Sequence, residues 1–192
     1  MSKTTISRDE AHQIWDKYLK TGYLRLHTLE SEAIMRKLAR HFAEDEDFWG
    51  NTALLHDLDM DVINGDYRLH GFKTIEILKN EGFDIPEMFN AILSHTEGVN
   101  PNSPSRTTHF EYILSAAENI TGMISAYVAV RPDKKIAGTQ PSSIVKRLKS
   151  KAFAASVNRE FIYDVEKAGI SLNEFLQIAI DAMTEIADEI GM

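Results

Sequence analysis

No cysteine occurs among the 192 residues, which excludes disulfides, thiolate metal sites and a cysteine nucleophile and fits a reducing compartment. Any metal this chain holds must therefore be bound through nitrogen and oxygen. Long apolar runs are missing too: the longest, Ala126 to Val130, falls far short of the ~20 residues that span a bilayer. The N-terminal MSKTTISRDEAHQ has no apolar signal-peptide core. These absences lead us to expect a cytoplasmic protein with no membrane partner. Positive charge is scarce, with 21 Lys+Arg against 29 Asp+Glu and a net charge of −8. That balance argues against nucleic acid as a partner, since duplex binding rests on basic surface that neutralises phosphates. The basic charge that exists is gathered, with seven basic residues and one acidic residue between Arg131 and Lys151. This segment reads as a solvated amphipathic helix or as phosphate contacts from Arg131, Lys134 or Lys151 that draw in an anion.

At 43% hydrophobic residues, a chain of this length buries roughly 70% of its unfolded surface around one core. The pattern is helical throughout. Ser7-Arg-Asp-Glu10 is a capping box that opens a helix running to about Lys20 and ended by Gly22. Leu24, His27, Ser31, Ile34 and Leu38 form a stripe on a helix from Tyr23 to Phe42. A short buried helix is expected over Glu46 to Leu58, another from His70 to Asn80, and a third opened by Asp84-Ile-Pro-Glu87 and closed by Gly98. The longest helix runs from about Arg106 to Val130 and stops at Pro132. Further stretches cover Pro141 to Ala154, Asn158 to Lys167 and Ser171 to Ile190. Sustained period-two alternation is absent, so the expected fold class is all-α with about eight helices. The stripe Phe175, Ala179, Met183, Ile186, Ile190 is core whose exposed share would suit a homodimer face.

Four of the seven histidines stand where they could meet: His27 on a core stripe, His56 beside Asp57, His70 opening a helix and His95 closing one. Glu118 falls at the edge of the apolar stripe of the longest helix, where a carboxylate can reach inward. Imidazole and carboxylate together are the ligand set of Mn, Fe, Co, Ni or Zn, with Mg less comfortable. His56-Asp57 and His95 lie in last helical turns, whose partial negative charge favours a cation. His70 lies at a helix start with Lys73 one turn on, an arrangement that favours a phosphate.

Leu26-His27, Leu54-Leu55-His56-Asp57, Leu69-His70-Gly71, Ala91-Ile-Leu-Ser-His95 and Ala116-Ala117-Glu118, in that order and spacing, resemble the HD superfamily of metal-dependent phosphohydrolases. Thr121-Gly122, Val130-Arg131-Pro132 and the run Lys151 to Arg159 extend the likeness to a bacterial and archaeal group of these hydrolases. The resemblance implies an HD-type domain over 1–192, with a core at about 23–130 and a helical extension at 131–192. It implies one or two divalent ions, the first held by His27, His56, Asp57 and Glu118, the second by His70 and His95 through a bridging Asp57. Activated water would then attack a small phosphorylated metabolite or nucleotide, with Asp57 in the catalytic centre, Asp59 or Asp61 taking the proton and Lys73 binding phosphate. An HD-type di-iron oxygenase and a non-catalytic binding module are the alternatives that the same ligands allow.

This chain departs from the family at several points. Glu118 stands where the family usually has Asp, and no Gly-Lys follows His56-Asp57, so Lys73 is the substitute. Thr96 follows His95 where cyclic-dinucleotide enzymes carry a second His, and Met60-Asp61 only half matches the Glu-Asp of guanosine-tetraphosphate hydrolases, so neither substrate is favoured. Blander readings stand beside these. His27 alone reads as a hydrogen-bonded core histidine, Glu118 as a solvated carboxylate, and Asp59 and Asp61 as loop-capping acids. His41 shares the stripe of His27 but sits about 21 Å along it, and is structural. His12 and His109 are expected at the surface.

Overall fold

The computed structural model describes residues 2–192. Among them are ten α-helices and two short 3-10 turns, and no strand, only an isolated bridge of Lys3 with Phe83. The protein is all-α. In chain order the helices are α1 (Arg8–Tyr18), α2 (Gly22–Phe42), α3 (Glu46–Leu55), α4 (Phe72–Asn80), α5 (Pro86–His95), α6 (His109–Val130), α7 (Pro141–Leu148), α8 (Arg159–Tyr163), α9 (Leu172–Glu185) and α10 (Ala187–Ile190).

Local chemistry sets most boundaries. Ser7 and Glu10 make the reciprocal capping box of α1, Asp45 caps α3, Ser171 caps α9, and Thr108 with Glu111 closes a second box at the start of α6. Because of that box, α6 begins three residues later than its apolar pattern suggests, and Arg106 lies outside it. Gly22 is the first residue of α2 rather than a spacer. Asp84 caps nothing: α5 has Ile85 at its N-cap without a side-chain bond, and the backbone of Asp84 pairs with Lys3 instead. The segment expected as one helix to Ala154 ends at Leu148, and the segment expected as one helix from Asn158 to Lys167 becomes α8 followed by a 3-10 turn over Asp164–Ala168.

Apolar side chains gather in two clusters. The larger joins α2, α6 and α9 with α7 and α8, around Ile34, Leu38, Ile113, Ile120, Ile144, Phe175 and Met183. The smaller lies under α1, α4 and α5, around Trp15, Leu19, Leu54, Leu58, Leu78 and Met88. Leu29 and Phe48 pack against both. Helix α6 is long and apolar enough to cross a membrane, but half of its most apolar stretch is buried in the protein, as expected for the central helix of a core. The stripe Phe175, Ala179, Met183 and Ile190 is likewise buried, with Ile186 partly so.

Helix α2 packs chiefly on α3 and also on α6 and α9. The α2–α3 contact is fixed by a buried charge. Arg36 donates to Glu32 at 2.8 Å, Asp47 at 2.9 Å and Asn51 at 3.0 Å. Its stem crosses α3 at Gly50, where a Cβ would stand 2.5 Å from Arg36 Cγ. Two histidines expected at the surface are half-buried instead: His12 faces Glu32 at 3.0 Å, and the ring of His109 stacks edge-on against Phe42 and near Trp49. His41 pairs with Glu174 and packs on Phe42.

Candidate metal centre

Five elements converge on Asp57. His27 comes from α2, His56 from the C-cap of α3, His95 from the last residue of α5 and Glu118 from α6, while His70 sits in extended backbone between a 3-10 turn and α4. Asp57 Oδ1 stands 3.5 Å from His56 Nε2, 3.5 Å from His70 Nε2 and 3.6 Å from His95 Nε2, and Asp57 Oδ2 stands 3.7 Å from His27 Nε2. Glu118 Oε2 is 4.0 Å from His27 Nε2. His56, Asp57, His70 and His95 are buried and His27 is partly so. The geometry divides into two groups able to hold an ion, His27–His56–Asp57 and Asp57–His70–His95, with Asp57 common to both.

The far ring nitrogen of every histidine is already engaged. His56 Nδ1 bonds the Ala53 carbonyl at 2.6 Å, and His95 Nδ1 bonds that of Ile92. Each of these rings thus turns back onto a carbonyl that a helix C-terminus leaves free. His27 Nδ1 lies 2.8 Å from Thr121 Oγ1, whose own proton goes to the Glu118 carbonyl. His70 Nδ1 lies 2.8 Å from Asp59 Oδ1. A carbonyl only accepts, so Nδ1 of His56 and His95 carries the proton and Nε2 of the neutral ring is a lone pair. His95 Nε2 is buried with no hydrogen-bond partner, and His27 and His56 turn their Nε2 atoms towards each other at 3.2 Å.

Burial, with the neighbouring His56, lowers the pKa of His27 to about 4, and burial lowers that of His95 to about 4. Those two rings are therefore neutral at physiological pH. Burial also pushes the Asp57 carboxyl up, but the imidazoles around it, His56 first, outweigh this and hold it well below the usual range. Burial and then the charge of Asp57 push Glu118 well above the usual range. Nitrogen lone pairs aimed at carboxylate oxygens repel one another unless a cation lies between them. The donor set thus fits a divalent ion, and the partners on Nδ1 are the second shell that orients such ligands.

Asp59 is not positioned to take a proton from water. It is fully buried and accepts from His70 Nδ1, from Gly71 N at 2.7 Å and from Thr74 N at 3.2 Å. Its carboxylate fills the N-terminus of α4, the place where a phosphate was expected. Gly71 (φ +81°) allows this turn, because a side chain there would be both strained and 3.1 Å from the Ile92 carbonyl. Asp61 caps the chain before α2, accepting from Lys20 N at 2.6 Å and Thr21 N at 2.9 Å. Lys73 points to Glu76 at 2.6 Å. Arg131, just past the end of α6, grips Asp133 and the Ala137 carbonyl, thirteen residues beyond Glu118 or about 20 Å away. Lys151 is exposed in the turn after α7. None of these cations lines the pocket over the cluster.

That pocket, about 450 Å³, is walled by Met60, Tyr67, Thr96, Val99, Asn119, Ser156, Asn158 and Phe161 besides the cluster itself. Sequence patterns gave no sign of Tyr67, Asn119 or Phe161 as site residues. Asn119 Nδ2 bonds the Glu118 carboxylate and its Oδ1 accepts from Asn158 N at 3.2 Å, tying the helical extension to α6. Asn100 donates to the carbonyls of Arg68 at 2.9 Å and His70 at 3.0 Å, which fixes the extended backbone of His70.

The model of the HD domain family matches residues 25–123, from just before His27 to just past Glu118. The chain belongs to the HD-domain family. This is a superfamily of metal-dependent hydrolases whose domains bind divalent metals, and both candidate groups lie within the HD match. No curated protein and no solved structure matches the chain. Helix α1 and everything after Met123, including the Ser156–Phe161 wall, lie outside the HD match.

Proposed function

We propose that this HD domain hydrolyses a small phosphorylated metabolite, with one or two divalent ions held by His27, His56, Asp57, His70, His95 and Glu118. The observation that carries this reading is the convergence of four histidine Nε2 atoms, those of His27 and His95 on neutral rings, on one buried carboxylate at the floor of a pocket. A divalent ion held there would lower the pKa of water towards ~7 and neutralise phosphoryl oxygens. The protein supplies the rest. Asp57 is shared by both ligand groups and would be a ligand common to them, while Thr121, Asp59 and the carbonyls of Ala53 and Ile92 lock the four rings. Water adds to phosphorus as the ester P–O bond breaks, and one proton of that water ends on the departing alcohol oxygen, leaving alcohol and phosphate.

The test is phosphate release from a panel of esters under Mn, Co, Ni and Mg, with metal content measured on the same samples. Release is expected with at least one metal, together with loss of both bound metal and activity in Asp57→Ala. Silence across the panel with full metal occupancy overturns the hydrolase reading, and oxygen uptake by the iron-loaded protein would replace it with an oxygenase.

A further inference from the structure

The pocket over the cluster has a composition that the metal ligands do not explain. No Lys or Arg among the described residues lines it. Two of the most exposed large apolar side chains, Tyr67 (50%) and Val99 (53%), stand in its wall beside Met60 and Phe161. Large apolar groups left in water at a pocket mouth are the usual mark of a ligand contact. Phe161 is held for such a purpose. The guanidinium of Arg106 stacks 3.9 Å from its ring centroid, and Arg106 is itself buried and fixed by Glu97 at 3.1 Å, the Ser94 carbonyl at 3.1 Å and Asp164 at 3.7 Å. One face of the ring is thus covered by Arg106, and Phe161 is held in the pocket wall.

The charge count is as restrictive as the shape. Two divalent ions would bring four positive charges, and Asp57 and Glu118, both bound to them as carboxylates, would cancel two. At most two remain, which a single phosphate dianion neutralises. The further charges of a diphosphate or triphosphate would meet no side-chain cation in the pocket, only the polar groups of Thr96, Asn119, Ser156 and Asn158.

Resting on the hydrolase reading, we infer that the pocket selects a phosphate monoester joined to a flat, apolar group. Phe161, contributed by the extension outside the HD match, is its specificity-determining residue. The wall that carries Phe161 is prebuilt: Arg159, two residues earlier, donates to the carbonyls of Leu148, Ser150, Phe153, Ala154 and Val157.

Two measurements test this. Steady-state kinetics compare phenyl phosphate with glycerol phosphate, and a nucleoside 5′-monophosphate with its triphosphate. The aromatic ester and the monophosphate are expected to be the better substrates. Phe161→Ala should raise KM for phenyl phosphate roughly tenfold, the size of one lost stacking contact, with kcat and the glycerol phosphate constants little changed and with Phe161→Tyr restoring KM. In parallel, calorimetry of the metal-loaded protein compares non-hydrolysable phenylphosphonate with methylphosphonate, and the preference for the phenyl compound should vanish in Phe161→Ala. Equal efficiency on monophosphate and triphosphate, or an aromatic preference untouched in Phe161→Ala, overturns the inference. If no ester is cleaved, the hydrolase reading fails, and the phosphonate titration alone then decides the inference.

Discussion

Single side chains in this protein answer to partners far from them in sequence, and Asp59 shows it best. Read along the chain it is an acid two residues after a ligand, available for proton transfer. In the fold both of its oxygens are occupied, by the His70 ring and by two backbone N–H groups at the start of α4, so it acts through His70 as a positioning residue. Asp59→Asn would place an amide nitrogen or a poorer acceptor against His70 Nδ1. Metal affinity should weaken about 10- to 100-fold, read by competition with a chromophoric chelator, while the helix content stays unchanged. Glu30 is a second residue whose role burial decides. It lies 4% exposed between α2 and α6 with one hydrogen bond, from Ser125 at 3.0 Å, and burial raises its pKa to about 7. The fold therefore favours the protonated acid. Stability from this group is fully present below the ordinary glutamate value of 4.5, and is lost as the pH rises from there through about 7. Glu30→Gln should be nearly neutral at pH ~4 and stabilising at pH ~8, by about 3 kcal/mol at most, in urea denaturation at the two pH values.

At the level of elements, helix existence was legible, and helix ends were legible only where their caps are local. Caps written in four residues, such as Ser7 to Glu10, were readable because both partners are local. The end of α7 was not, because Arg159 collects carbonyls from Leu148 to Val157 and draws the chain out of the helix that its own periodicity favours. Gly50 is a similar case. Inside α3 a glycine costs helix propensity, and the sequence offers no reason for it. The reason is the Arg36 stem that crosses there, pinned by Glu32, Asp47 and Asn51. Gly50→Ala should lose about 1–3 kcal/mol despite alanine's better propensity, measured by thermal or urea unfolding, because the arginine cannot swing aside without breaking its buried bonds.

Across the whole molecule, the all-α class and the six ligand candidates were readable for different reasons. The class followed from hydrophobic period alone. The ligand candidates came from five short motifs in register, since nothing in the periodicity of α2 tells His27 from an ordinary core histidine. What escaped was whatever two distant segments build together, such as Asn119 with Asn158 or Tyr67 and Phe161 in one wall. The basic segment from Arg131 to Lys151 reads in sequence either as a solvated amphipathic helix or as phosphate contacts; Arg131 is spent on Asp133 and the nearby backbone, and the segment contributes no cation to the pocket.

The carbonyl-gathering arginine has one more consequence. A wall assembled before any visitor arrives has no order left to impose on it, so capture need not wait for a loop to settle and the entropic toll of association is small. Discrimination then falls at first collision, by fit against a rigid mould, and crystals grown with and without a bound molecule should superimpose across that wall.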